Sequence, residues 1–376
     1  MMLCIKNGNV LLEDDIAKVN IIVSEGRIVA LSHDVPDGAQ VFDAKGYYVS
    51  PGFIDLHTHG RKNCDTMDAL EDHLQTISEA NLTTGCTSYL PTTMTMPISD
   101  VAQAIAAVAR IMGHEAGARI LGVHMEGPFI SEAHKGAQDA KNIIPATLEN
   151  FLALTGGHDI VKKITLAPEN EGADALIRAL YEEGISVSVG HSDATYEQAM
   201  KAFALGANST THTFNAMTPL KHRAPGIVGA VMNSPDVYAE LILDGKHVYW
   251  PSAKILARLK GPDHLCLITD SLECAGMPVG QYMLGGQKVW VKDGRAELAD
   301  GTIAGSITGL NEEVRNAVTH LNIPLLTAVK MASYNPARSL HIKDLGLIKE
   351  GFIADLILFD ENIDVKAAFV KGQKKY

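Results

Sequence analysis

Eight short apolar or β-branched runs recur between residues 51 and 271, and helical patterns fill the gaps between them. Alternation of strands with helices indicates a parallel sheet, and eight repeats over roughly 250 residues match the size of a (β/α)₈ barrel. The sequence therefore predicts an α/β fold with a TIM-like barrel. The clearest helical patterns cover residues 67–80, 98–112, 173–183, 196–205 and 251–259.

The two ends of the chain have a different pattern. Residues 1–50 contain short strand patterns separated by turns such as Asn7-Gly8-Asn9, and they are too few to bury a core alone. Further strand patterns occur at 353–359 and 365–370. We therefore predict a small β-sandwich built from residues 1–50 and 343–376. The barrel is expected over 51–342, with a β insertion around 276–306.

The charge and cysteine content restrict the function classes. A formal net charge of −12 argues against a nucleic-acid-binding or anionic-membrane surface, so small molecules are the expected partners. The sequence has no pattern of a signal peptide or a membrane span. The five cysteines are scattered without CxxC spacing, which favours reduced thiols and a cytoplasmic location. These are Cys4, Cys64, Cys86, Cys266 and Cys274.

Two histidines follow the first barrel run. His57 and His59 are two residues apart on a predicted strand between Pro51 and Gly60, so their side chains point the same way. One alternative is a pair of hydrogen-bonded core histidines. The spacing at a strand exit favours a metal site, because neutral imidazole is a common ligand for transition metals.

Other polar residues end later runs. Glu126, His191, His212 and Asp270 follow the third, fifth, sixth and eighth runs. Barrel enzymes build their sites at the carboxyl ends of the strands, where these side chains would meet. Imidazoles and carboxylates converging in one buried mouth are costly unless a cation coordinates them. The pattern indicates a metal-dependent enzyme.

Several longer motifs carry a family resemblance. The specific ones are His124-Met-Glu-Gly-Pro-Phe129 and Thr211-His-Thr-Phe-Asn-Ala-Met217, and the stretch from Pro51 to His59 adds to them. With these motifs the chain resembles the amidohydrolase superfamily and, within it, the N-acetylglucosamine-6-phosphate deacetylases. The resemblance covers essentially the whole chain. It implies hydrolysis of the acetamide of N-acetylglucosamine 6-phosphate, giving glucosamine 6-phosphate and acetate.

The resemblance also implies roles for the strand-end residues. Glu126, His191 and His212 would be the ligands of the principal divalent metal, and Asp270 the catalytic acid and base. His57 and His59 match a pair that helps to hold a second metal in some relatives. One or two cations per subunit are therefore expected. Zinc is favoured, with iron or manganese as alternatives that suit the same ligands.

Substrate contacts follow from the same resemblance. Asn215, Ala216 and Arg223 would meet the phosphate, and His247 the sugar hydroxyls. In relatives this arginine reaches a neighbouring subunit's site, which implies a homodimer. Many relatives have a histidine against the acetyl group where this chain has Gln138, preceded by Ala137. The rest of the pocket would be formed by Ile303, Ala304, Gly305 and Ser306.

Three alternatives remain open at this stage. N-acetylgalactosamine 6-phosphate differs from the favoured substrate at one hydroxyl, and no residue decides between them. A cyclic amidase would use a modified lysine at the end of strand four, whereas Lys162 and Lys163 precede that predicted strand. An inactive scaffold relative is disfavoured by the intact polar residues at the strand ends.

Overall fold

Eight parallel strands form the centre of the computed structural model, which describes residues 2–376. Neighbours in sequence pair in order, and the first and last strands approach through a parallel bridge between Thr58 and Ser271. The predicted (β/α)₈ barrel is thus confirmed. We number its strands 1 to 8: Phe53–Thr58, Cys86–Thr93, Val123–Glu126, Val161–Leu166, Ser186–Val189, Ser209–Thr210, Tyr238–Leu241 and Leu265–Leu267.

Helices cover the outside of the barrel because each has one apolar face. Helix Ala173–Glu182, for example, buries Leu176, Ile177 and Leu180 against the strands. Thr195 and Gln198 form a capping box that begins the helix after strand 5. No helix within residues 2–376 combines the length and the apolar character needed to cross a membrane. The α-helices are Glu71–Leu82, Ile98–Ile111, Leu148–Thr155, Ala173–Glu182, Tyr196–Leu205, Gly226–Met232, Trp250–Lys260, Leu310–Leu321, Leu325–Ala332 and Tyr334–Ser339.

Strands from both ends of the chain share one sheet. Leu358 pairs with Val49 in antiparallel register, and Phe369 packs beside them in an apolar cluster between two sheets. The four-stranded sheet has the order Arg27–Ser32, Asn20–Ser24, Met2–Lys6 and Gln40–Asp43. The six-stranded sheet has the order Gln373–Lys374, Val365–Val370, Leu356–Phe359, Tyr48–Pro51, Asn9–Leu11 and Ile16–Ala17.

A four-stranded antiparallel sheet follows strand 8 and packs near the carboxyl end of the barrel. Its buried residues Leu284, Val289 and Val291 share an apolar cluster with Met94 and Leu272. The sheet therefore adds a wall to the mouth of the barrel. Its strands are Gly280–Leu284, Gln287–Lys292, Arg295–Glu297 and Ile303–Gly305. The remaining short elements are strands Gly60–Arg61, Cys64–Asp65 and Arg119–Ile120, and 3₁₀ helices Thr66–Asp68, Glu132–His134 and Ala140–Asn142.

Candidate metal centre

Six polar side chains converge at the carboxyl end of the barrel, and all six are buried. They form two groups of three, and within each group the ligand atoms lie within 4.8 Å of one another. The chain segments that carry them are distant in sequence but adjacent in the closed sheet. One group is His57, His59 and Asp270, and the other is Glu126, His191 and His212.

The carboxylate of Glu126 joins the two groups. Its Oε1 lies 3.0 Å from His191 Nε2 and 3.1 Å from His212 Nε2. The same atom is 3.3 Å from His57 Nε2, and Oε2 is 3.2 Å from His59 Nε2. Asp270 Oδ1 completes the cluster at 3.3 Å and 3.4 Å from the same two nitrogens of the strand 1 histidines.

The second ring nitrogen sets the tautomer of three of these histidines. In His59, His191 and His212, Nδ1 lies 2.9–3.2 Å from a backbone carbonyl oxygen. A carbonyl oxygen only accepts, so each Nδ1 donates a hydrogen to it, and Nε2 is the atom that would bind a cation once it has released its own proton. This arrangement is usual for histidines that bind metals, and the donor set fits a divalent cation. The three acceptors are the carbonyl groups of Thr92, His134 and Asn215.

The charges in the cluster compensate one another. Burial by itself would raise the pKa of Glu126, but the neighbouring His57 and His191 hold it well below its usual value. Burial likewise opposes ionisation of Asp270, yet His57 and His59 lower its pKa. Although burial alone would lower it, hydrogen bonds to Asp270 and Glu126 raise the pKa of His59 to about 9. Both carboxylates are therefore negatively charged and available to a cation at neutral pH.

Three of the converging residues have a left-handed backbone. The φ angles are +47° at His191, +29° at His212 and +49° at Asp270. For residues other than glycine this conformation costs about 1–3 kcal/mol each. Asp270 is held in it by hydrogen bonds from its N–H to His57 O at 2.8 Å and from Ser306 N–H to its carbonyl at 2.8 Å. The barrel thus maintains local strain at the points where the side chains must turn inward.

A buried ion pair lies below the cluster. Lys163 Nζ is 2.7 Å from Glu240 Oε1 and donates to Ser209 Oγ at 3.0 Å, and both charged residues are fully buried. The expectation that Lys163 precedes strand 4 is wrong, because it lies within Val161–Leu166 and inside the barrel. Its ammonium is engaged by Glu240. His57 Nδ1 faces the other oxygen of Glu240 at 3.9 Å and has no hydrogen-bond partner in residues 2–376.

A pocket of about 430 Å³ opens onto the cluster. Most residues expected to contact the substrate line it: Ala137, Gln138, Asn215, Ala216, His247, Ile303, Ala304 and Gly305. Two do not. Ser306 is buried behind the wall, where its hydroxyl donates to Thr269 O, because its strand end hydrogen-bonds back to Asp270. Arg223 is exposed on a loop outside the pocket of its own chain.

Some residues of the site were not predicted. His134 lines the pocket, and its carbonyl fixes the ring of His191, while its own Nε2 lies 3.1 Å from Asp193. A backbone carbonyl contribution leaves no mark in the residue types, so no sequence signal could have identified this role. Asp244 follows the end of strand 7 by three residues and was not among the predicted site residues. Its Oδ2 lies 2.7 Å from His247 Nδ1, and its position shortly after a strand was the available signal.

Comparisons with known proteins agree with this geometry. The sequence model described as "Amidohydrolase family" matches residues 48–376. The N-acetylglucosamine-6-phosphate deacetylase of Lysinibacillus sphaericus is 38% identical over 365 residues, covering 95% of this chain and 94% of that protein. The N-acetylgalactosamine-6-phosphate deacetylase of Escherichia coli O157:H7 is 35% identical over 356 residues, covering 93% of each. The crystal structure of N-acetylglucosamine-6-phosphate deacetylase from Pasteurella multocida superimposes with a TM-score of 0.94 at 34% identity, covering 100% and 99% of the two chains.

Proposed function

Because this chain belongs to the amidohydrolase family, we propose that it hydrolyses the acetamide of N-acetylglucosamine 6-phosphate to glucosamine 6-phosphate and acetate. The observation that carries the proposal is the convergence of Glu126, His191, His212 and Asp270 at one mouth of the barrel, open to a pocket of about 430 Å³. That pocket is large enough for a sugar phosphate. The related deacetylases named above act on substrates of this kind.

The donor groups define where cations would bind. Glu126, His191 and His212 would hold one divalent cation, and His57, His59 and Asp270 a second, and the Glu126 carboxylate lies between the two groups. Zinc fits these nitrogen and oxygen donors, as iron or manganese would. A cation bound here would polarise the acetyl carbonyl and lower the pKa of an attacking water.

Asp270 is the residue placed to move protons. Its Oδ1 faces His57 and His59, and its side chain borders the pocket while it stays about 11% exposed. With its pKa lowered by those histidines, the carboxylate is ready to accept a proton from water. It then returns that proton to the amine nitrogen as the C–N bond breaks. The amide is neutral and the leaving amine needs a proton, so both transfers are required.

The rest of the enzyme follows from the same proposal. Residues 51–342 form the catalytic barrel, and residues 1–50 with 343–376 form the accessory sandwich. Arg223 would reach the phosphate of a substrate bound to a second copy, since it does not line the pocket of its own chain. This arrangement requires a homodimer. All five cysteines are free and buried, which suits a reducing, cytoplasmic compartment.

One further substrate deserves a direct comparison. A relative with 35% identity is named as an N-acetylgalactosamine-6-phosphate deacetylase, which favours the galacto sugar as the second candidate. The test is acetate release from both hexosamines with and without the 6-phosphate, together with metal analysis of the protein. Asp270→Asn should lose activity by at least about 100-fold while it retains the cation held by Glu126, His191 and His212. Absence of both metal and activity in the wild type would support an inactive scaffold.

A further inference from the structure

His247 has one ring nitrogen paired and the other free within the described chain. Its Nδ1 lies 2.7 Å from Asp244 Oδ2, and the two side chains are only 6% and 12% exposed. Nε2 is buried and has no hydrogen-bond partner among residues 2–376. His247 also lines the pocket beside the metal centre. A buried polar atom without a partner in such a place indicates a bound ligand group.

Residues 244–247 form a turn after strand 7, and Asp244 hydrogen-bonds to both the His247 ring and the backbone of this turn. Its Oδ1 accepts hydrogen bonds from Lys246 N at 2.8 Å and from His247 N at 2.9 Å. Its Oδ2 is left for the imidazole. Oδ1 therefore binds the backbone and Oδ2 binds the imidazole, and these contacts fix the orientation of the carboxylate.

The helix Leu310–Leu321 hydrogen-bonds to Leu243, the residue that precedes the turn. The carboxyl group of Glu313 accepts a hydrogen bond from Leu243 N, and Asn316 Nδ2 donates to Leu243 O at 2.9 Å. Because the two side chains are three positions apart, they lie on one face of the helix. They bind both polar groups of the residue immediately before Asp244. The turn is consequently fixed from outside the pocket as well.

We propose that Asp244 is a positioning residue that keeps His247 in the tautomer whose Nε2 accepts a hydrogen bond from a substrate hydroxyl. A carboxylate only accepts, so the hydrogen of the neutral ring lies on Nδ1 and Nε2 has only a lone pair. The matching ligand group must donate, as a sugar hydroxyl does. The identity of the ligand in this inference rests on the proposed function. The assignment of the His247 tautomer is independent of that function, because it depends only on the contact with Asp244.

Asp244→Asn tests the inference with little change in shape. The amide oxygen would stay with the two backbone N–H groups, which places its NH₂ against His247 Nδ1. The ring hydrogen would then move to Nε2 and turn an acceptor into a donor, as the comparable change does in a catalytic triad. We expect KM for N-acetylglucosamine 6-phosphate to rise on the order of 10-fold or more, with a smaller change in kcat and unchanged metal content.

Asp43→Asn is the matched control. Asp43 is exposed, and its Oδ1 accepts from Lys45 N at 2.9 Å in a similar turn far from the barrel mouth. This variant should leave KM and kcat unchanged. The 3-deoxy and 4-deoxy analogues of the substrate identify the hydroxyl: the analogue that lacks it should bind wild type and Asp244→Asn about equally. An equal penalty for every analogue would contradict a hydroxyl partner.

The tautomer can be measured without substrate. ¹⁵N spectra of the metal-loaded wild type, recorded as the pH is raised until the ring is neutral, should give Nδ1–H for His247, whose signals are assigned by their loss in His247→Gln. A wild-type ring protonated on Nε2 would overturn the proposal even if Asp244→Asn did not fold. If neither hexosamine phosphate releases acetate but the Nδ1–H form is found, the proposed function fails and the role of Asp244 in the tautomer stands.

Discussion

Gln138 Nε2 donates a hydrogen bond to Glu126 Oε2 at 2.8 Å. A neutral amide is therefore hydrogen-bonded to the carboxylate that lies between the two groups of potential metal ligands. The orientation of the amide is fixed, because its Oε1 accepts from Thr95 N at 2.8 Å and a backbone N–H can only donate. Gln138 is 3% exposed although it borders the pocket. Its first effect is therefore on Glu126 rather than on the substrate.

Gln138→Leu should weaken metal binding because it removes the donor that orients Glu126. Losing a hydrogen-bond partner of a metal ligand typically costs about 10–100-fold in metal affinity or activity. Chelator competition on the purified protein measures the affinity directly. Gln103→Leu, at an exposed position of the helix Ile98–Ile111, is the control. An unchanged affinity with a raised KM would assign Gln138 to the substrate instead.

Glu126→Gln should remove metal from both groups, because the charge of Glu126 is shared between them. Metal content per chain is measured by elemental analysis after dialysis. His59→Asn provides the contrast, since it changes only the strand 1 group and should leave one cation on Glu126, His191 and His212. A fully metallated and active Glu126→Gln protein would contradict the assignment of this residue as a ligand.

The barrel and the position of its polar residues were predictable because both depend on local pattern. Each strand gives a short apolar run, and each run ends where a side chain can turn into the mouth. His57, Glu126 and Asp270 could therefore be placed together before any contact was known. The closure of the barrel, which the structure shows as the bridge between Thr58 and Ser271, could be predicted from the count of eight repeats alone.

The interior polar contacts were not predictable from local pattern. Lys163 was placed before strand 4 but lies within it, and its partner Glu240 lies 77 residues later on strand 7. A burial cost that is offset by so distant a residue leaves no local signal. The same holds for Ser306, which was assigned to the pocket with its neighbours but turns away to bond Thr269.

Arg223→Ala should raise KM for phosphorylated sugars and leave unphosphorylated N-acetylhexosamines unaffected. Loss of a guanidinium-to-phosphate contact worth ~1.5–3 kcal/mol corresponds to roughly 10–150-fold. Lys221→Ala, two residues away on the same exposed loop, should have little effect. Sedimentation of the wild type would test the required dimer. If the protein is a monomer and still prefers phosphorylated over unphosphorylated sugars, Arg223 cannot have the proposed role at the site of a second copy.

Lys163→Met should destabilise the barrel strongly because it leaves the Glu240 carboxylate buried without a counter-charge. Breaking one side of a buried pair costs about 3–5 kcal/mol, whereas replacing both partners by apolar residues is often neutral or stabilising. Urea unfolding of Lys163→Met and of the double variant Lys163→Met/Glu240→Leu should therefore show a large loss and a recovery. Lys162→Met, the exposed neighbour on the same strand, should change the free energy of unfolding by no more than ~0.5 kcal/mol. A double variant as unstable as Lys163→Met would mean that Glu240 is needed for another contact, of which the His212 N–H, donating to Glu240 Oε2 at 3.4 Å, is the nearest candidate.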